Sequence, residues 1–289
     1  MLKDQSWAVQ KKQNLQIRIR QQIYRNKTNY PYLSGDSFAR ACDFSIDSRI
    51  KKSKANIQSA RSIFCPSDKL ESFLEAQGDQ VVASVLVLGN SDRDFYEFPW
   101  KLPPSIQSVY LQNSHISDHF FHSLPIGLEN LRYGRNGIPA LFMLPQLPVE
   151  KEEKILVGPF SPTHAERREL NVWSKIRNPK IHVISESLQP RKLATVASLY
   201  RFVACPRGNG TDTHRFWETL YRGSIPVVKR TQWSESILNM GIPLVQLSNW
   251  DFDEFLEVST QIACVNFSPK EMPLLWMDHW KQTLSSRVH

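Results

Sequence analysis

The stretch Val81–Leu88 (VVASVLVL) limits what this chain can fold into more than any other. It is apolar and β-branched on both faces, as a central parallel strand is when helices cover the sheet on each side. It runs into a polar loop, Gly89–Asn90–Ser91–Asp92–Arg93–Asp94. A second short strand, Ser108–Leu111, follows Pro103–Pro104 and ends in Gln112–Asn113–Ser114–His115. Strand, polar loop and helix in alternation predict a doubly wound α/β sheet.

The pattern restarts further on. Strands are expected at Lys154–Gly158, Lys180–Ile184, Arg201–Ala204 and Ile225–Val228, with a polar helix around Ala165–Trp173. Between the halves, Pro139, Pro145 and Pro148 precede a charged tail, the composition of a semi-rigid connector. The 289 residues suit two α/β domains of ordinary size, and 41% hydrophobic with 22% charged residues is globular usage. The expected architecture is therefore two Rossmann-like domains, residues 76–147 and 148–270, facing across a cleft. Before them, residues 1–75 read as a helical arm and loop packing on the first domain: Trp7–Tyr24 lacks proline and glycine, and Asn29–Tyr30–Pro31–Tyr32 and Ser34–Gly35–Asp36 break the pattern. After them, residues 271–289 form a C-terminal helix. Its Trp276, Met277 and Trp280 recur at helical spacing, a packing stripe.

A formal net charge of +8 favours polyanionic partners: nucleic acid, an anionic membrane surface or phosphorylated small molecules. Much of the charge sits at Lys3, Lys11, Lys12, Arg18, Arg20, Arg25 and Lys27 and around Arg49–Lys54. With no aromatic-basic repeat beside them, these residues read as solvated helix faces, and no nucleic-acid partner is expected. The longest apolar run, Val81–Gly89, is less than half of what a membrane-spanning helix needs, and the polar, basic N-terminus lacks the apolar block of a secretory signal. The expected location is cytoplasmic, with at most a peripheral contact to an anionic membrane. Cys42, Cys65, Cys205 and Cys264 lie far apart without a Cys-x-x-Cys pair, so reduced thiols are expected.

The chemistry concentrates between Arg201 and Val228 (RFVACPRGNGTDTHRFWETLYRGSIPVV). The segment reads as strand, glycine loop, helix, tight turn and strand. Gly208 and Gly210 would let backbone approach a ligand, and Thr211, Asp212 or Thr213 can cap the helix that follows. Free N–H groups at that helix start suit an anion, with Arg207 before the loop and His214 and Arg215 in the first turn. Glu218 shares a face with His214 and Arg215 and could accept bonds from ribose hydroxyls, unless it merely pairs with Arg215 on a surface helix. Gly223 would end the helix.

The residues CPRGNGTDTHRFWETLYRGSIPVV resemble the donor-site motif of exostosin-like and related GT-B glycosyltransferases. In that motif a strand, a polar glycine loop and a helix with Glu, four residues and Gly-x-x-Pro bind a nucleotide sugar. Weaker similarity runs through Leu124–Asn130 and Gly158–Arg167, covering about residues 80–260, while the first 75 residues match nothing. The resemblance implies a GT-B fold, with the acceptor on the first domain and the donor on the second. It implies that Arg207, Asn209 and Arg215 contact the donor's phosphates or sugar, that Gly208, Gly210, Asp212 and His214 belong to the same site, and that Glu218 holds the ribose. Ser161, Thr163 and Arg167 would line the opposite wall, although Ser161 and Thr163 could equally be helix caps. The donor is a nucleotide sugar and the acceptor a carbohydrate or other hydroxyl-bearing molecule; neither a metal nor a cofactor is expected.

Two further constellations point elsewhere. Asp92–Arg93–Asp94 has the Asp-x-Asp form with which GT-A enzymes grip a divalent metal, but it lies far in sequence from the anion loop and reads as a turn, or as the source of a catalytic base in Asp92 or Asp94. His115, Asp118, His119 and His122 are spaced so that the three histidines would share a helical face. Such a face suggests a zinc hydrolase, or simply an amphipathic helix; His115 alone, at a strand's C-terminal end, could be an acceptor base. A non-enzymatic module that binds a nucleic acid or another polyanion is the remaining alternative.

Overall fold

The structure, a computed structural model, describes residues 19, 23–24, 27–50, 55–116, 118–142, 150–262 and 268–286. The helix expected over Trp7–Tyr24 lies almost wholly outside these residues, as do most of the connector and Cys264. No described helix is long and apolar enough to cross a membrane.

The chain is mixed α/β and Rossmann-like, with two parallel sheets of five strands each. The first contains β1 (Phe44–Ser45), β2 (Ser62–Pro66), β3 (Val85–Gly89), β4 (Ser108–Leu111) and β5 (Phe121–Ser123), side by side in chain order. Every residue of β2 and β3 is buried, which is why their sequences are apolar without alternation. The strand expected from Val81 starts only at Val85. Val81 closes a tight turn by donating to Gly78 O, and Val82 is 54% exposed; pairing begins where Val85 N–H donates to Arg61 O at 3.2 Å. The segment read as an arm and loop proves to supply β1 and β2, so residues 44–45 and 62–66 are built into the sheet rather than resting on it.

The second sheet contains β6 (Glu152–Val157), β7 (Ile181–Val183), β8 (Tyr200–Ala204), β9 (Ile225–Lys229) and β10 (Val245–Leu247), in the spatial order β10-β9-β8-β6-β7. Chain order reverses between β6 and β8. The doubly wound arrangement expected from the sequence is met here, whereas the first sheet winds one way and has no such reversal. At a reversal, the loops leaving two neighbouring parallel strands diverge, and the crevice between them is where open α/β sheets bind ligands.

Helices α1 (Gly35–Ala41), α2 (Leu70–Gln77), α3 (Ala165–Glu169), α4 (Pro190–Ala197), α5 (His214–Tyr221), α6 (Gln232–Asn239), α7 (Phe252–Ile262) and α8 (Met277–Ser286) surround the sheets. One apolar cluster contains residues of both halves: Phe38, Val85 and Tyr110 with Leu156, Val203, Phe216 and Trp217. The C-terminal stripe joins it, as Trp280 meets Phe38 edge-on at 5.6 Å and Trp276 packs on Tyr32 at 5.4 Å. Tyr221, at the end of α5, ties these parts together. Its hydroxyl accepts from Leu33 N–H at 3.0 Å and donates to Leu275 O at 2.8 Å, all buried. Tyr221→Phe leaves a buried backbone donor and a buried acceptor without that partner, and urea denaturation should show a loss of about 1–3 kcal/mol.

Candidate functional site

Strand β8 delivers the chain to Cys205, which is buried beside Thr219 of α5, and the glycine loop begins at Pro206. Gly208 N–H donates to Gly210 O at 3.1 Å and closes the loop on itself. Thr213 is the N-cap of α5, and the helix buries Phe216, Trp217, Leu220 and Tyr221; Gly223, at φ +67°, follows its end. Side chains from elsewhere in the protein pack close against the two loop glycines. A Cβ on Gly208 would lie 2.8 Å from Arg167 Nη2, and one on Gly210 would lie 2.7 Å from the Asn113 side-chain oxygen.

Beside this loop, where chain order reverses, is a cleft of about 270 Å³. Of the residues singled out in the sequence, Asp92, Arg167, Gly208, Asn209, Gly210, Asp212, His214, Arg215 and Glu218 line it. Thr213, one of the expected helix caps, lines it as well, as does Ile126 of the Leu124–Asn130 stretch; Asn136 and Leu193 complete the wall, and no local sequence signal marks those two. Two guanidinium groups give the cleft its charge. Arg167 donates to Arg207 O and Ser161 O, both at 3.0 Å, and Arg215 donates to Gly158 O and Pro159 O at 3.3 and 3.4 Å. Both lie over the Phe160 ring, at 6.0 and 5.6 Å from its centre. Burial lowers the Arg167 pKa, and neighbouring Arg215 lowers it further. His214 points Nδ1 at Gly127 O, 2.8 Å away, so Nδ1 carries the proton in this arrangement.

Glu218 is not a surface residue. It is 9% exposed, with Oε2 3.8 Å from Arg215 Nε and 4.0 Å from Arg222 Nη1, so the reading of a simple surface ion pair is set aside. The Arg222 side chain is itself only 9% exposed and lies over the Phe142 ring at 4.5 Å. Burial pulls its pKa down to about 10, against the opposing pull of Glu218.

The loops after β3, β4 and β5 reach across to the glycine loop. Asp94 binds Arg207 through one carboxylate oxygen and accepts Thr211 N–H at 2.9 Å through the other. Asp92 accepts from Asn209 at 3.0 Å, Asn113 accepts Asp212 N–H at 2.8 Å, and Asp212 accepts Ile126 N–H at 2.8 Å and Trp217 Nε1–H at 2.8 Å. The Asp-x-Asp segment is thus a loop that clasps the glycine loop. Arg207 lies on Asp94 and outside the cleft lining. Ser161 and Thr163 are exposed and outside it too; neither side chain caps a helix, since His164 caps α3, and Ser161 contributes its carbonyl to Arg167.

The shared histidine face does not form. His115 is buried in the loop after β4, stacked on Tyr96 at 4.2 Å and 3.0 Å from the Thr211 hydroxyl, so it does not face the cleft as an acceptor base would. The side chain of His119 is 97% exposed, and His122 belongs to β5 beside Tyr110. Asp118 accepts Phe120 N–H at 2.7 Å, a local turn that sets up β5 in place of a helix. Among the described residues, no group of three His, Cys, Asp or Glu side chains could hold a metal ion.

No protein-family model matches the chain, and no curated protein matches it in sequence.

The two buried carboxylates of the site are driven in opposite directions. Burial raises Asp212 to about 8 despite the bonds it accepts. Burial would raise Asp94 as well, but bonds from His115 and Thr211 and the charge of Arg207 take it below the ordinary value. Asp212 therefore holds its proton more tightly folded than unfolded, and stability falls as pH rises from the ordinary value near 3.8 toward 8. The contribution of Asp94 is complete above its unfolded pKa and is lost as pH falls through its lower folded value. Denaturation at about pH 5 and about pH 8 should find the wild type weaker at the higher pH, by at most about 1.4 kcal/mol per unit crossed. Asp212→Asn should shrink that difference; equal shrinkage in a remote Asp→Asn control would remove Asp212 as its cause.

Proposed function

We propose that this chain is a metal-independent glycosyltransferase that moves a sugar from a nucleotide-sugar donor to an acceptor hydroxyl. The observation that carries the reading is the make-up of one cleft. Two guanidinium groups and the start of α5 stand at one end, and the Glu218 carboxylate lies one helical turn away, beside the crevice of a doubly wound sheet. A nucleoside diphosphate has that polarity, with anionic phosphates adjoining a ribose whose hydroxyls donate to a carboxylate.

In this reading the two sheets belong to Rossmann-like domains of GT-B type, with the donor on the second and the acceptor against the first. The acceptor oxygen attacks the anomeric carbon, the bond to the phosphate oxygen breaks, and the nucleoside diphosphate leaves with the bonding pair. Arg167, Arg215 and the N–H groups opening α5 stabilise the negative charge that develops on it, as a metal does in other enzymes. Asp92, the carboxylate of the first half on the cleft wall, is suited to take the acceptor's proton. No cofactor takes part. The resemblance of residues 205–228 to exostosin-like enzymes supports the same assignment.

Calorimetry with a nucleoside diphosphate and no added metal tests the reading. Arg215→Ala should weaken binding by about 1.5–3 kcal/mol, the worth of a charge-assisted bond. Glu218→Gln separates ribose recognition from ion pairing. It should lower affinity for the nucleoside diphosphate roughly tenfold or more while scarcely changing that for inorganic pyrophosphate, which has no ribose. Equal losses for both ligands would assign Glu218 to the support of Arg215 alone. Transfer activity should survive EDTA; a requirement for manganese would overturn the metal-free mechanism.

A further inference from the structure

Arg207 opens the glycine loop, yet its guanidinium is held away from the cleft. One Nη lies on the Asp94 carboxylate, the other donates to the Tyr96 hydroxyl at 3.4 Å, and Nε is buried without an acceptor among the described residues. The second oxygen of Asp94 accepts Thr211 N–H at 2.9 Å. A single carboxylate thus binds both ends of the loop, through a guanidinium before it and a backbone N–H after it. These are the two kinds of donor that hold phosphate oxygens at such loops. Two independent features of the cleft fit with this. The Thr213 hydroxyl, on the cleft wall in a residue only 9% exposed, has no hydrogen-bond partner among the described residues. The volume of about 270 Å³ also falls below the roughly 300–1,000 Å³ usual for a ligand pocket.

We propose that Asp94 is a built-in substitute for a ligand phosphate, a latch that holds the glycine loop until a diphosphate displaces it. The incoming phosphate takes over Arg207 and Thr211 N–H and gains the unpartnered Thr213 hydroxyl. Asp94, released, keeps the His115 imidazole as a neighbour, with Nε2 3.8 Å away, so it is not left buried alone. A doubly charged phosphate wins the exchange against a singly charged carboxylate because Arg167 and Arg215 add their fields on the cleft side. The inference rests on the nucleotide-sugar reading only in requiring a diphosphate.

Inorganic pyrophosphate is the probe, titrated by calorimetry into the full chain. Asparagine keeps the shape of Asp94 and an oxygen for Thr211 N–H but removes the competing charge. Asp94→Asn should therefore bind pyrophosphate about tenfold tighter than wild type, and Arg207→Ala about tenfold more weakly. A folded Asp94→Asn that binds no tighter, or no binding by either protein, overturns the latch. Should Asp94→Asn fail to fold, the NMR resonance of Arg207 Nε–H in the wild type decides. Pyrophosphate should shift it markedly, and an unmoved resonance in a saturated sample rejects the exchange. Failure of the nucleotide-sugar reading has its own signature: pyrophosphate behaves as above, but nucleoside diphosphates bind no better than pyrophosphate.

Discussion

The glycine loop between β8 and α5 keeps its shape because the first sheet holds it there. A loop of this composition has no core of its own, and its backbone N–H groups need acceptors once water is excluded. Asp94 and Asn113 provide them from the ends of β3 and β4, and the Ile126 amide after β5 donates in return to Asp212. These bonds join residues about a hundred positions apart in sequence, so the loop takes its form only when both halves are folded. The shared apolar cluster, in which Phe38 and Tyr110 belong with Trp217 and Tyr221, is the non-polar counterpart of the same dependence.

The polar junction is costly to bury, and its composition reflects that cost. Asp94 stays ionised because a guanidinium, an imidazole and a backbone N–H surround it; Asp212 is pushed toward its protonated form chiefly by burial, which its hydrogen bonds do not offset, with a smaller push from Asp94. Two carboxyl groups that meet at one loop from the two halves of the chain thus differ in charge near neutral pH. This difference spares the junction a pair of like charges. Glu218 has a comparable double duty, since the buried Arg222 depends on it for counter-charge while its carboxylate also borders the cleft.

Strands β3, β4, β8 and β9 were legible because near-complete burial leaves an apolar run that needs no tertiary information, and β6 through its buried half, Ile155–Val157. β1, β5 and β10 have two or three residues each, and their existence depends on the neighbour they pair with. The His115–His122 spacing misled for a related reason: a helical period is only as good as the helix, and Asp118 turns the chain before one can form. Most of the cleft could be read because residues 208–218 form one continuous segment. The segment did not reveal that Arg167 and Asn113 pack against its glycines, nor the destination of Arg207, which is set by Asp94. No spacing rule links residues 94 and 207.

How the two cleft arginines are held decides what they can do. Arg167 and Arg215 are fixed mainly by backbone carbonyls, at Ser161, Arg207, Gly158 and Pro159, with Phe160 beneath both planes. A carbonyl orients a guanidinium without cancelling its charge, whereas a carboxylate at contact distance does both. Gly158 can present its carbonyl in this way because its φ of +82° turns the chain after β6, where a Cβ would collide with Ile184 O at 2.4 Å. The nearest carboxylate to Arg215, Glu218, stops at 3.8 Å, too far for a direct hydrogen bond. The cleft therefore keeps two guanidinium groups oriented by carbonyls, with the Glu218 carboxylate beside Arg215 rather than hydrogen-bonded to it.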